Sequence, residues 1–347
     1  VTTTPSPSSR SLHEPSPTPV TPAETTPQAA PVAGRRRRRR PTPERALFFL
    51  VFLGIPLGVY LMFVVSPFVQ SFYYSFTDWS GLSPSMRFIG LENYQRIAGD
   101  PVFWKALRNN LVLLAVLPIV TIGLAFALAV MLTFGGSTQG GVRGVRGSPF
   151  YRVVSFFPYA VPAVITGILF NFVYHPSAGL LNGLLNLVLR PFGAGPVSIA
   201  WLGDQRVALG AVAFAIIWTF VGFYMVMFVA AIKSVGQEVL EAARLDGAGR
   251  FRTAVQIVAP MMRDSVSTAL VYMGIFALDA FTFIAVMTPN GGTDNSTRVV
   301  SQYLYQTAFS QGRVGEASAM GVVMALVTML VALIVMGLGR SRKEGSR

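Results

Sequence analysis

The chain has 347 residues, 52% of them hydrophobic and only 12% charged, with a mean hydropathy of +0.54. A soluble domain usually carries about 25% charged residues, so an ordinary soluble globular protein is excluded before any segment is inspected. The net charge of +13 would suggest nucleic acid in a soluble chain, but six of those charges form one run, Arg35–Arg40, with no interleaved aromatic residues; no nucleic-acid partner is expected.

Residues 1–34 are rich in Pro, Ser and Thr and nearly devoid of branched and aromatic residues. Such a segment buries too little apolar surface to offset its ordering entropy and reads as disordered. With the polybasic run it forms a tail, residues 1–45, ahead of the first apolar stretch. Six stretches then reach the roughly 20 apolar residues that a bilayer requires: Ala46–Val69, Leu107–Phe134, Tyr151–Tyr174, Val207–Ile232, Met262–Met287 and Ala317–Leu338. The sequence therefore predicts an all-α membrane protein with six transmembrane helices in one domain, residues 46–340, followed by a short basic tail, 341–347. Pro56, Pro118 and Pro162 lie inside spans, where each removes a backbone hydrogen bond and is expected to kink its helix.

Orientation follows from basic residues beside the spans. With the N-terminus inside, 20 Lys and Arg fall on the inner side and 8 on the outer; without the N-terminal tail the count is 12 against 8. Both termini are expected in the cytoplasm, with the basic run Arg35–Arg40 as a topology anchor that touches membrane lipid. The outer segments, roughly 70–106, 175–206 and 288–316, hold Trp and Tyr and are expected to form short interfacial helices. The inner loop Gly135–Ser148 is Gly-rich and basic and reads as flexible.

The remaining inner loop, Ser234–Pro260, is a polar island between apolar runs. Ser234 and Gln237 have capping-box spacing, predicting a helix to about Asp246 with Gly247 as its left-handed stop. Leu240, Ala243 and Gly247 fall near one face. A second short helix begins at Arg250, with Phe251, Ala254, Val255 and Val258 apolar, and ends at Pro260. The Ala242-Ala243 pair predicts a low surface flanked by Glu241 and Asp246, suited to insertion into a groove on a partner.

Chemistry is sparse. There is no cysteine, which removes disulfides, thiolate metal sites and a cysteine nucleophile. The two histidines, His13 and His175, stand far apart in sequence. No G-x-x-x-x-G-K-[ST] and no H-E-x-x-H occurs, so neither a P-loop nor that zinc motif is present. No catalytic residue and no metal ligand is assigned. Asp279, near the middle of the fifth apolar stretch, is the one acid deep in a span. An intramembrane acid reads as a functional group by default; the plainer reading, an acid facing a wet cavity or bonded within the bundle, comes first here, ahead of a polar substrate contact and then a proton relay.

The stretch EAARLDGAGRFRTAVQIVAP resembles the EAA loop of permease subunits of bacterial binding-protein-dependent ABC importers. The family pattern falls on Glu241-Ala242-Ala243, Asp246-Gly247-Ala248 and Ile257 with Pro260. The chain departs from it at Ala259, where Leu is usual, at Val255, where Phe is common, and at Val235-Gly236, where Ile-Pro often precedes the loop. FTDW (Phe76–Trp79), GLENY (Gly90–Tyr94), FFPYAVPAVITG (Phe156–Gly167), WLGD (Trp201–Asp204) and VMTPNGG (Val286–Gly292) resemble the carbohydrate-uptake branch.

The resemblance implies a multi-pass permease in a bacterial cell membrane that is not itself an enzyme and holds no cofactor, ATP being bound by a partner subunit. It implies a second permease subunit, two cytoplasmic ATPase subunits that take hold of Glu241, Ala242, Ala243, Asp246, Gly247, Ala248, Phe251 and Pro260, and an extracellular solute-binding protein that delivers a sugar. Trp218, Tyr224, Met225 and Asp279 are candidates for the sugar pathway. A secondary transporter or channel without an ATPase is the alternative; it predicts internal repeats and paired intramembrane charges, which the chain does not display.

Overall fold

The computed structural model describes residues 43–134, 145, 147–193 and 195–344, without the side chains of residues 43, 45, 46, 237, 244 and 334–344. The Pro/Ser/Thr-rich tail with its basic run, and all of the Gly135–Ser148 loop but Val145, Gly147 and Ser148, lie outside these residues. The chain divides into two units, Val1–Gly58 and Val59–Arg347. In the first, the helical backbone begins at Pro43, in the first turn where a missing N–H costs nothing.

Twelve helices organise the described residues. They are α1 (Leu47–Tyr74), α2 (Glu92–Ala98), α3 (Pro101–Phe134), α4 (Ser148–Ala160), α5 (Ala163–Val173), α6 (Leu180–Leu189), α7 (Ala208–Ser234), α8 (Gln237–Leu245), α9 (Arg263–Leu278), α10 (Phe281–Met287), α11 (Val300–Tyr305) and α12 (Val314–Glu344). Short 3-10 and π turns join some of them, and among the described residues the extended structure is one isolated bridge, Thr77 to Phe88. Four helices, α1, α3, α7 and α12, are long and apolar enough to cross a membrane; the pairs α4–α5 and α9–α10 bring the number to six if each is one span.

The breaks differ from the expected kinks. Pro162 does more than bend its span: α4 and α5 meet at 98°. A residue before proline is driven out of the α region; Val161 takes φ −81°, ψ 129° and Pro162 itself φ −55°, ψ 137°, so two successive extended residues end α4. Pro118 sits inside the uninterrupted α3. Pro56 and Pro67 leave α1 a single span; each follows a π turn, Leu50–Gly54 and Leu61–Val65. A π turn moves the donor one residue further along, which eases the clash between a proline ring and the carbonyl four residues back. The fifth expected span is broken by 45° between α9 and α10, at Asp279-Ala280, where the sequence offers neither Pro nor Gly.

The core forms where α3, α7, α9 and α10 meet, through Leu113, Leu117, Ile216, Met225, Phe228, Met273, Phe283 and Ile284. α7 also packs on α4, and α5 on α10. The α4–α7 contact is close because Gly222 has no side chain: a Cβ there would lie 1.6 Å from the Ser155 carbonyl oxygen. α3 is 34 residues long, about 50 Å at 1.5 Å per residue. Its C-terminal residues Leu132 and Phe134 share the core with Ile232, Val235 and Leu240, so that end lies with the polar island.

Its N-terminal end is clamped to residues 288–300. Lys105 Nζ donates to the carbonyl and to Oδ2 of Asp294 at 2.5 and 2.7 Å. Asn110, fully buried, donates to the Leu278 carbonyl at 2.8 Å and accepts from the Val300 N–H at 2.9 Å. Left-handed backbone concentrates in this loop, at Asn290, Gly291, Gly292, Asp294 and Asn295. The expected short helices outside the spans are present as α2 and α6. In the first of these segments the N–H and then the guanidinium of Arg87 bond Asp78 and hold its carboxyl below the usual carboxylate range. In α11, burial and then the hydrogen bond to Asp100 push the Tyr303 phenol up to about 12.

Candidate functional site

The polar island folds as a helix, a glycine stop and a second helical stretch. α8 begins at Gln237, two residues after α7 ends. Ser234 is not the residue directly before α8, as the expected cap required. Ser234 is the last residue of α7, and its Oγ donates back to the Ala231 carbonyl at 2.7 Å. Val235 is extended, with φ −69° and ψ 126°, which puts Gly236 in the position before α8. The other end is as predicted: Gly247 stands at φ +75°, and the Ala248 N–H reaches the Ala243 carbonyl at 2.9 Å. This six-to-one bond across a left-handed residue is the Schellman closure.

α8 is two-faced. Leu240 and Ala243 are buried, and with Val235, Val258 and Met262 they fix the island to the end of the bundle. The opposite stripe, Glu238, Glu241, Ala242 and Leu245, is exposed at helical spacing. The alanine pair is therefore split: Ala242 faces out while Ala243 packs inward, since adjacent residues on a helix point about 100° apart. Sequence reasoning missed Leu245, which is 90% exposed. Its signal was present in the sequence, five positions from buried Leu240 and on the face that carries Glu241. Asp246 and Gly247 are exposed, Ala248 half-buried, and Phe251 is 80% exposed. Three acids, a small residue and two large apolar side chains thus stand out from the island.

The second helical stretch runs over Arg250–Arg252, Thr253–Val258 and Ala259–Met261, the middle part a π turn. It does not end at Pro260 as expected. Pro260 is exposed, and helical backbone continues to Met261 before Met262 departs at φ −100°, ψ 18°. As at Pro56 and Pro67, the π turn precedes the proline. Thr253 Oγ donates to the Gly249 carbonyl at 3.1 Å, securing the start of the stretch. Arg250 and Phe251 border a cleft of about 630 Å³ with Leu128, Met131, Phe134 and Met225, so the island touches the side chains of the long helices.

The pathway candidates separate. Tyr224 is 4% exposed and Met225 is fully buried, with Met225 backing the cleft beside Arg250 and Phe251. Their burial follows from their place on the crowded side of α7. Trp218 is 37% exposed and packs edge-on against Phe170, ring centroids 5.3 Å apart. Asp279 is exposed at the break between α9 and α10. No hydrogen bond or ring contact joins it to Trp218 among the described residues. Nor do the described residues bring three or more His, Asp or Glu together as a metal site would require.

A broken-helix bundle with a helix–glycine–helix island between its fourth and fifth spans is the architecture of an importer permease. The chain belongs to the family described as binding-protein-dependent transport system inner membrane component, matched over residues 131–341. The family's role is transport rather than catalysis. The chain is 50% identical over 310 residues to the diacetylchitobiose uptake system permease protein NgcF of Streptomyces coelicolor, covering 89% of this chain and 87% of that protein. It is 35% identical to the probable ABC transporter permease protein YurN of Bacillus subtilis, over 84% of this chain and 95% of that one. In fold it is similar to a chain in the crystal structure of a bacterial alginate ABC transporter in complex with an alginate pentasaccharide-bound periplasmic protein. The TM-score is 0.73 at 20% identity, over 86% of this chain and 96% of the other.

Proposed function

We propose that the chain is the transmembrane permease subunit of an ATP-driven sugar importer in a bacterial cell membrane. It forms the translocation path with a second permease and is driven by two separate ATPase subunits. Both termini and the 234–262 island face the cytoplasm, in line with the 20 to 8 excess of Lys and Arg on that side. The observation that carries the reading is the exposed stripe of α8, closed by Gly247 and rooted in the core by Leu240 and Ala243. A rigid element with acids and apolar residues facing out, and apolar anchors facing in, transmits a partner's movement to the helices behind it. ATP is held and hydrolysed by the partners.

A solute-binding protein delivers the sugar to the outer segments, and Trp218 and Asp279 contact it on its way. The Streptomyces relative is named for diacetylchitobiose, so short N-acetylated sugars are the first probes. The test is accumulation of radiolabelled diacetylchitobiose, N-acetylglucosamine and xylose by vesicles that hold the complete transporter with its solute-binding protein. The expected result is accumulation of at least one of them only with both ATP and the binding protein present. Accumulation driven by an ion gradient without ATP would return the chain to the class of secondary transporters.

A further inference from the structure

Asp279 closes α9. Its N–H donates to the carbonyls of Ile275 and Phe276 at 3.3 and 3.1 Å, and the chain then turns by 45° into α10. Its carboxylate is exposed and has no hydrogen-bond or ion-pair partner among the described residues. Exposed Val271, Tyr272 and Ile275 precede it on α9, with exposed Ser267 and Thr268 a turn further back. An apolar stripe on a span can face lipid, but a carboxylate at the centre of a lipid-facing helix costs about 2.5–3.5 kcal/mol on insertion scales. Among the described residues no cation pairs with it, which favours water over lipid at its carboxylate.

Asp279 brings a full negative charge to the break; the opposite half-charges of the α9 C-terminus and the α10 N-terminus meet there and largely offset each other. After Arg263, neither α9 nor α10 contains a Lys, Arg or His. A hydroxyl, an amide N–H or an ammonium group meets two free acceptor oxygens; a second carboxylate meets repulsion in a narrow, poorly screened space.

We propose that Asp279 is a charge filter in the translocation path, admitting neutral and amino-bearing sugars and disfavouring those that carry carboxylate or sulfate groups. The proposal rests on the reading of α9 as a lining of that path. The alginate transporter of like fold carries an acidic cargo, so the shared fold leaves cargo charge open.

The chain contains no cysteine, so Ile275→Cys, one turn before Asp279, introduces a single thiol. Membrane vesicles that hold the whole transporter are treated with a cationic trimethylammonium or an anionic sulfonate methanethiosulfonate, and modification is read from the mass of this chain. Relative to a free thiol in solution, the cationic reagent is expected to react about tenfold faster than the anionic one, and Asp279→Asn is expected to bring the ratio near one. A ratio near one with Asp279 in place overturns the filter but leaves α9 on the path. No reaction with either reagent overturns both, placing the stripe against lipid or the second permease. If Ile275→Cys fails to accumulate in the membrane, Tyr272→Cys, at a 66% exposed position one turn earlier, gives the same readout.

Discussion

Gly247→Pro is expected to reduce ATP-driven uptake to background while leaving the amount of protein in the membrane within about twofold of the unaltered chain. Proline fixes φ near −65°, whereas Gly247 stands at +75°. The chain cannot make the left-handed turn, the Ala248 N–H loses the Ala243 carbonyl, and everything after α8 leaves in another direction. Leu240 and Ala243 stay buried on the preceding residues, so the bundle keeps its core and the damage is confined to the island. Gly247→Ala is the graded control. No atom lies within 4 Å of its added Cβ, so the cost is that of the left-handed conformation alone, about 1–2 kcal/mol, and partial uptake is expected. Uptake at the normal rate by Gly247→Pro, measured beside an immunoblot of the membranes, would remove the turn from the coupling mechanism.

Gly222→Ala should give the opposite profile, with loss of the protein itself. The added methyl would lie 1.6 Å from the Ser155 carbonyl oxygen and 2.4 Å from its carbon. Both are backbone atoms, which no rotamer change can move aside. α4 must back away from α7, parting the Tyr159 and Phe223 rings that stack at 4.5 Å. Overpacking of this kind typically costs about 1–3 kcal/mol, occasionally more, and this contact is at the severe end. A lower midpoint of thermal unfolding in detergent and a smaller yield are expected. Gly210→Ala on the same helix has nothing within 4 Å and should be neutral or slightly stabilising, since alanine is the better helix former by about 1 kcal/mol. Equal midpoints for the two variants would mean that α4 and α7 are not in contact as described.

The long helices were legible because a bilayer demands unbroken hydropathy, and α1, α3, α7 and α12 carry it without interruption. The breaks were not. Pro118 lies inside an unbroken α3, Pro56 is relieved by a π turn, and Pro162 ends a helix outright. The same residue gives three outcomes because the neighbouring backbone decides whether its missing bond is absorbed. The break at Asp279 has no proline or glycine to announce it. In the island, Gly247 was readable since a left-handed stop favours glycine, and the direct φ of +75° agrees. The start of α8 was not, because Ser234 can spend its hydroxyl on the helix behind it as well as on the one ahead. The split of Ala242 from Ala243 depends on where the bundle lies, which local sequence does not encode. Tyr224 and Met225, pathway candidates implied by the family resemblance, pack in the core here, a burial that the sequence did not announce.

If an ATPase subunit holds α8, one thiol placed at exposed Ala242, in a chain that has no other, reports it through a short thiol-to-amine cross-linker in vesicles that hold the whole transporter. The expected result is one dominant product with the mass of this chain plus an ATPase subunit. Its yield should change when nucleotide traps the ATPases closed and fall sharply when Glu241→Lys is added. Products formed only with the solute-binding protein, or no product with the ATPase under any nucleotide condition, would contradict it.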